Sequence, residues 1–260
     1  MDRRLNNRRQ VSLPGISMSG TALKWMGFLL LCLSSFSAAV IQRGIMGFGA
    51  DATAETMYQA MSPEGGMMGP GTAAVLCSLI SMMALPIYVH FLCEGLRHTK
   101  DVKRYVIRLL VCALVSEIPY DFAMNGQLFD FSVQNPLWAL GLGAIMIEIC
   151  RMRKEKSGAG GIVFRAVVVV AAILWALLLR VHMGALLILL ITLFYFARQN
   201  KSVFYILGIG LTSLQFPAPL GLLFINWHDG TPAGGPRWMF YILYPVQLML
   251  FGAWAMFLVY

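Results

Sequence analysis

Apolar runs and short polar connections alternate along nearly the whole chain. The runs predict eight helices, at 22–42, 71–97, 103–124, 136–150, 162–180, 183–198, 202–225 and 238–258. Several reach the roughly 20 residues needed to cross a bilayer; 136–150 is short for a full crossing. Pro86 interrupts the second run, Pro119 falls near the end of the third, and Pro217 and Pro219 break the seventh. The connections differ in character. Residues 1–20 form a basic tail with Pro14, Gly15 and Gly20, expected to be disordered or to lie on a surface. Residues 43–70 are rich in Gly and Met, 125–135 carry no Lys or Arg, 151–161 are charged and then flexible, and 226–237 are turn-forming. A very tight turn joins the fifth and sixth runs. No internal repeat is visible, so the expected organisation is a cytoplasmic tail, 1–20, followed by one transmembrane domain, 21–260.

Composition excludes a soluble domain. Hydrophobic residues make up 58% of the chain and charged residues 12%, about half the usual share of charge. The expected fold class is all-α: a polytopic integral membrane bundle of about eight transmembrane helices. The net charge of +8 reflects where the basic residues sit and calls for no nucleic-acid partner. With the N-terminus in the cytoplasm and eight alternating crossings, seventeen Lys and Arg residues fall on the cytoplasmic side. Only Arg43, Arg180 and Arg237 fall on the other. That asymmetry obeys the positive-inside rule and predicts two cytoplasmic termini. The polar stretch before the first run is long for a signal peptide and Ser37-Ala38-Ala39 is a weak cleavage site, so the first run is expected to remain as a helix. Cys32, Cys77, Cys93, Cys112 and Cys150 lie in or beside apolar runs without CxxC spacing and read as small buried hydrophobes.

Against this apolar background, ionisable residues between 90 and 121 stand out, because charge at membrane depth is costly. His90, Glu94 and Arg97 are spaced i, i+4, i+7 and fall within about 60° on one helix face, with His98 at its edge. The stripe descends to a rim of Lys100, Lys103, Arg104, Arg108 and Arg151, with Glu148 at the same level. Carboxylates and imidazoles under a guanidinium rim suit an anionic ligand arriving from the cytoplasm, such as a phosphate-bearing cofactor or a lipid headgroup. The alternative is that Glu94 and Glu148 merely neutralise neighbouring arginines. A second cluster is expected near the opposite surface. Glu117 and Asp121 share a face there, with Arg180, His182, His228, Asp229 and Arg237 at that level. A Glu117–Arg180 or Asp121–Arg180 pair would fix helix packing, whereas an unpaired carboxylate would handle protons or orient a substrate.

Other features carry less. Met57, Met61, Met67 and Met68 are irregularly spaced and lack a partnering His, so they read as apolar filler and no metal is expected. The chain has no phosphate-cradling Gly loop, nucleophile elbow or zinc spacing. The Pro217/Pro219 break either lines a cavity or kinks a packed helix.

Five stretches resemble the TraX family, bacterial membrane proteins typified by a conjugative pilin N-terminal acetylase. They are EGLRHTKDVKRYVIRLL at 94–110, SEIPYD at 116–121, QNPLWALGLG at 134–143, MGALLILLITLFYFAR at 183–198 and FYILYPVQLML at 240–250. The resemblance implies a membrane acyltransferase-like helical bundle in a bacterial inner membrane. It also implies acetyl-CoA as donor and a protein, pilin-like or other acceptor. Departures from the family pattern occur where it carries an Asp-His pair on the first helix, here Ser34 and Ser35, and a His after the Tyr-Pro of the last helix, here Val246-Gln247. Where the family has an acidic residue before the sixth helix, this chain reads LLRVHMG around Arg180. Acyl transfer needs a group to accept the acceptor's proton, which neither serine nor glutamine does near neutral pH. Two readings follow. In one, the protein is an altered acyltransferase with His98 or His90 as base, Glu94 orienting it, and Arg97, Lys103, Arg104 and Arg108 holding donor phosphates. In the other, it is a non-catalytic membrane partner or accessory subunit on the same fold.

Overall fold

The computed structural model describes residues 17–49, 53–152, 158–236 and 238–259. The tail arginines Arg3, Arg4, Arg8 and Arg9, and Arg153, Lys154, Lys156 and Arg237, lie outside them. The described residues are helical, with two isolated β-bridges and no strand.

Helix α1 (Gly20–Phe36) begins at Ser19, whose hydroxyl accepts the Ala22 N–H. It runs directly into a π-helical segment, Ser37–Ile45. The connection that follows is not wholly irregular, as the sequence implied. It contains α2 (Ala54–Met61), capped by reciprocal bonds between Thr53 and Thr56. Next come α3 (Met68–Ser81) and α4 (Ala84–His98), which the sequence reads as one interrupted helix. The break at Met82-Met83 follows from Pro86, which has no N–H for the carbonyl four residues back. Helices α5 (Val102–Asn125), α6 (Leu137–Met152), α7 (Ala159–Leu178) and α8 (Gly184–Phe196) each match a predicted run to within a few residues. The seventh run splits into α9 (Lys201–Ser213) and α10 (Leu220–Asn226), and α11 (Met239–Val259) closes the bundle.

Among the described residues, four units are long and apolar enough to cross a membrane: Gly20–Ile45, Met68–His98, Ala159–Leu178 and Met239–Val259. They share a core with the shorter or more charged helices, centred on Leu23, Ile87, Leu96, Ile147, Ile188 and Ile191. Many large apolar side chains instead face outward, among them Leu174, Trp175 and Leu178 on α7, as expected where the surrounding solvent is lipid. All five cysteines are free. Met61 and Met46 both lie against Gly71, as apolar filler does.

One part of the predicted topology is corrected. The seventh run does not cross the bundle. Helices α9 and α10 form a hairpin whose tip stops at the α3–α4 break, where Gly221 packs so closely that a Cβ would lie 2.3 Å from the Met83 carbonyl oxygen. The Tyr205 hydroxyl, donating to Asn226 Oδ1 at 2.8 Å, ties the two arms together. The chain then returns to the end it left. The Met18 N–H donates to Trp227 O at 2.8 Å, and Gly20 N–H donates to Thr231 Oγ1 at 3.0 Å. Asp229 accepts Thr231 Oγ1 and N–H at 2.6 and 2.8 Å, which hold its carboxyl below the usual range. Helix α11 therefore starts beside α1, with Lys24 4.2 Å from the centre of the Phe240 ring. It runs parallel to α1 and α5 and ends where Gly44 packs on Ala255 and Gly252 on Phe122. The start of α1 and the end of α11 thus lie at opposite ends of the bundle, where eight alternating crossings would bring both termini to one side. The reason is local: α9 ends at Ser213, whose carbonyl meets Pro217 instead of an N–H donor four residues on, and Pro217 and Pro219 lie in the turn that reverses the chain into α10.

Candidate functional site

Two polar regions and a buried layer between them hold the candidate residues. At the end where α1 starts, the last turns of α4 meet the end of α8. Glu94 accepts from His98 Nε2 at 3.1 Å and from Arg198 Nη1, with Arg97 Nη1 at 4.0 Å. In the sequence, Arg198 is only one of the seventeen basic residues expected on the cytoplasmic side. Its role was legible in one respect, since it closes the MGALLILLITLFYFAR stretch.

The expected stripe is divided by its surroundings. Arg97 turns into the protein, donating to Phe194 O and Tyr195 O at 3.4 and 3.1 Å and covering the Tyr195 ring at 5.3 Å. Those are C-terminal carbonyls of α8, which lack partners within their own helix. Lys103, Arg104 and Arg108 are exposed on the first turns of α5. Asp101 caps that helix through the Arg104 N–H and pairs with Arg104 Nε, both at 3.0 Å. Arg151 donates to Leu96 O at 3.1 Å and lies 3.7 Å from Glu148, so the Glu148–Arg151 neighbourhood expected from the sequence forms.

The two histidines on α4 differ sharply. The His98 side chain is 80% exposed. His90 is buried, its Nε2 has no partner, and its ring stands edge-on to His228 at 5.6 Å. His228 and Asp229 therefore belong to this basic end, not to the opposite surface where alternating crossings put them. The cause is again the returning α9–α10 hairpin.

At the other end, neither Glu117 nor Asp121 pairs with Arg180. Glu117 binds across to the start of α6, accepting Asn135 N–H at 3.2 Å, Asn135 Nδ2, and Trp138 Nε1 at 2.7 Å. Asp121 Oδ2 accepts the Asp130 N–H at 2.9 Å. Arg180 takes part through its backbone: its carbonyl accepts Gln134 N–H at 3.0 Å, while its side chain is exposed. Sequence reasoning passed over the residue that does bridge helices here. Arg43, in the π-helical segment, is buried and donates to Phe122 O, to Ala123 O at 3.0 Å and to Gly252 O at 3.0 Å. A guanidinium has enough donors to serve carbonyls of two helices at once.

Between these regions lies a layer of neutral polar groups. Gln247 Nε2 donates to Ser35 Oγ at 3.1 Å, and both residues are buried. Pro245 leaves the Tyr241 carbonyl without its helical donor, and the Cys112 thiol approaches it at 3.6 Å. The two positions singled out by departures on the first and last helices are thus neighbours in the fold, although 212 residues separate them. Ser34 does not share this bond.

A family model described as TraX protein matches residues 19–254. The chain belongs to the TraX family. No curated protein and no solved structure matches it. The matched region spans α1 to most of α11, so every residue of both polar regions lies on the TraX fold.

Proposed function

We propose that this TraX-family membrane protein transfers an acetyl group from acetyl-CoA to an acceptor at the cytoplasmic face, with His98 as the base. The observation that carries the reading is the His98–Glu94–Arg198 chain. An exposed imidazole is oriented through one nitrogen by a carboxylate that is itself anchored by a guanidinium, the arrangement a positioned general base requires. Lys103, Arg104 and Arg108 supply exposed positive charge for the donor phosphates. Arg97 positions the end of α8 instead, and His90 is too enclosed to meet a cytoplasmic substrate.

In the reaction, an acceptor amine or hydroxyl passes its proton to the free nitrogen of His98 as it attacks the thioester carbonyl. The new C–N or C–O bond forms, the C–S bond breaks, and His98 returns the proton to the leaving thiolate. The acceptor is a protein, pilin-like or other. The test is acetyl-CoA binding and slow thioester hydrolysis by the purified protein. Lys103→Ala combined with Arg104→Ala and Arg108→Ala is expected to weaken binding. His98→Ala is expected to keep binding and lose at least 10²-fold in rate. Absence of acetyl-CoA binding, or an unchanged rate in His98→Ala, refutes the proposal.

A second reading, a non-catalytic membrane partner, is favoured by the Ser35–Gln247 pair. It fills with a buried neutral hydrogen bond the two places where the family pattern carries ionisable residues. Its distinguishing result is intact in-cell function in His98→Ala.

The proposed membrane disposition is seven crossings and one half-depth hairpin in the inner membrane, with the basic end cytoplasmic. Of the twelve described Lys and Arg residues, only Arg43 and Arg180 lie toward the other end, as the positive-inside rule requires. An alkaline phosphatase fused after Tyr260 is expected to be active. A silent phosphatase fusion with a fluorescent cytoplasmic reporter at the same place restores the eighth crossing.

A further inference from the structure

The opposite end of the bundle holds a pair of carboxylates that form no ion pair among the described residues. Asp121 closes the SEIPYD stretch on α5, and Asp130 lies in the loop that leads to α6. They are held against each other by the Asp130 N–H, which donates to Asp121 Oδ2 at 2.9 Å. Asn125, one turn beyond Asp121, joins them through Nδ2 to Asp130 Oδ2, and the Ser132 N–H donates to Asp130 Oδ1 at 2.8 Å. The loop 126–135 contains no Lys or Arg. Among the described residues no basic side chain pairs with either aspartate. Arg43 is committed to backbone carbonyls, and Arg180 makes no ion pair.

Two oxygens in this cluster have nothing to bind. Asp121 is 2% exposed and its Oδ1 has no hydrogen-bond partner; Asn125 Oδ1 is likewise buried and unpartnered. A buried carboxylate oxygen without a donor, in a cluster that holds a second carboxylate, is costly unless charge is supplied. The available donors are all oxygen, from two carboxylates and one amide, with no sulfur or imidazole among them. That is the ligand chemistry of hard cations.

We infer that Asp121, Asn125 and Asp130 bind a hard divalent cation, Ca²⁺ or Mg²⁺, at the end of the bundle opposite the His98 site. Carboxylates of Asp121 and Asp130 supply the charge, Asn125 Oδ1 supplies a neutral ligand, and water completes the shell, since both ions use six or more oxygens. The role is to pin the 126–135 loop to α5. The loop's far end is already bonded to the α7–α8 turn through Gln134 and to Glu117 through Asn135. This inference is independent of the acetyl-transfer proposal.

The test uses the full-length protein in detergent, stripped with EDTA and titrated with CaCl₂ and, separately, MgCl₂, reading binding by calorimetry and melting by intrinsic fluorescence. Saturable binding of one ion with a raised Tm is expected, and whichever salt acts at the lower concentration identifies the ion. Asp121→Asn and Asp130→Asn are each expected to weaken it at least tenfold. Glu55→Gln, on α2 at the same end, is expected to change nothing. Asp130 lies in a loop, so its variant keeps the test valid if Asp121→Asn does not fold. Absence of saturable binding, or binding by both aspartate variants as tight as by wild type, overturns the inference. So does an Asp121→Asn protein that, in EDTA, melts as high as wild type in saturating Ca²⁺, because Asp121 is then a neutral acid.

Discussion

The two ends of α5 and its neighbours use the same residue types in opposite ways. At the basic end, Glu94 orients an exposed imidazole, and Lys103 and Arg108 extend into solvent. At the other end, Glu117 and Arg43 are consumed by packing: the carboxylate gathers donors from the α5–α6 junction, and the guanidinium gathers carbonyls from α5 and α11. The lesson is that an ionisable residue in a membrane protein is not identified as chemical by its charge. What matters is whether its hydrogen-bonding capacity is already spent. Glu117 accepts three bonds from the protein itself, whereas the imidazole of His98 is bound on one side and open on the other.

This contrast can be broken by substitution. The largest loss of stability is expected from Arg43→Ala, which strips a charged donor from three carbonyls, two of them in fully buried bonds. The expected cost is about 3–5 kcal/mol, summing losses of charge-assisted bonds, read by unfolding in detergent or SDS. A near-neutral result would make Arg43 a solvated residue and erase the distinction.

Glu117→Ala comes next, leaving the Trp138 indole and two Asn135 donors without an acceptor, at about 2–4 kcal/mol. Glu117→Gln keeps one oxygen and is expected to recover roughly half of that. If Glu117→Gln keeps stability yet abolishes function, Glu117 is chemical after all. A smaller effect is expected in the middle layer. Gln247→Leu strands the Ser35 hydroxyl at about 1 kcal/mol, and adding Ser35→Ala recovers most of it, because removing both partners of a buried bond costs little. The smallest is His98→Ala, expected to leave the melting temperature unchanged, since exposed ion pairs contribute little. A clear loss of stability there would make His98 one more packing residue.

Much of this arrangement was legible in the sequence, and its failures are specific. The helices follow from apolar runs punctuated by proline, and seven of the eight runs correspond to a helix or a helical unit, four of them long and apolar enough to cross a membrane. The stripe spacing correctly put Glu94 and His98 one turn apart, and the Tyr-Pro stretch led to Gln247. The run 202–225 failed because length and hydropathy do not distinguish a crossing helix from two half-length arms. Only the packing of Gly221 against Met83 separates them. One missed re-entry then moved His228 and Asp229 to the wrong end. Arg180 was matched to the carboxylates by depth alone, and depth does not specify direction.

By itself, the sequence determined that the chain is helical and membrane-embedded, that its basic charge gathers at one end, and that it shares the TraX pattern. These properties follow from local quantities: run length, residue type and the cost of charge in hydrocarbon. The tertiary structure alone decided that α9 and α10 turn back, that α11 therefore ends away from the start of α1, and that Arg198 rather than Arg97 grips Glu94. It also decided that Ser35 and Gln247 meet, and that Asp121 accepts the Asp130 N–H. Each depends on a contact between residues far apart in the chain or on the direction of one side chain, and no local pattern encodes either.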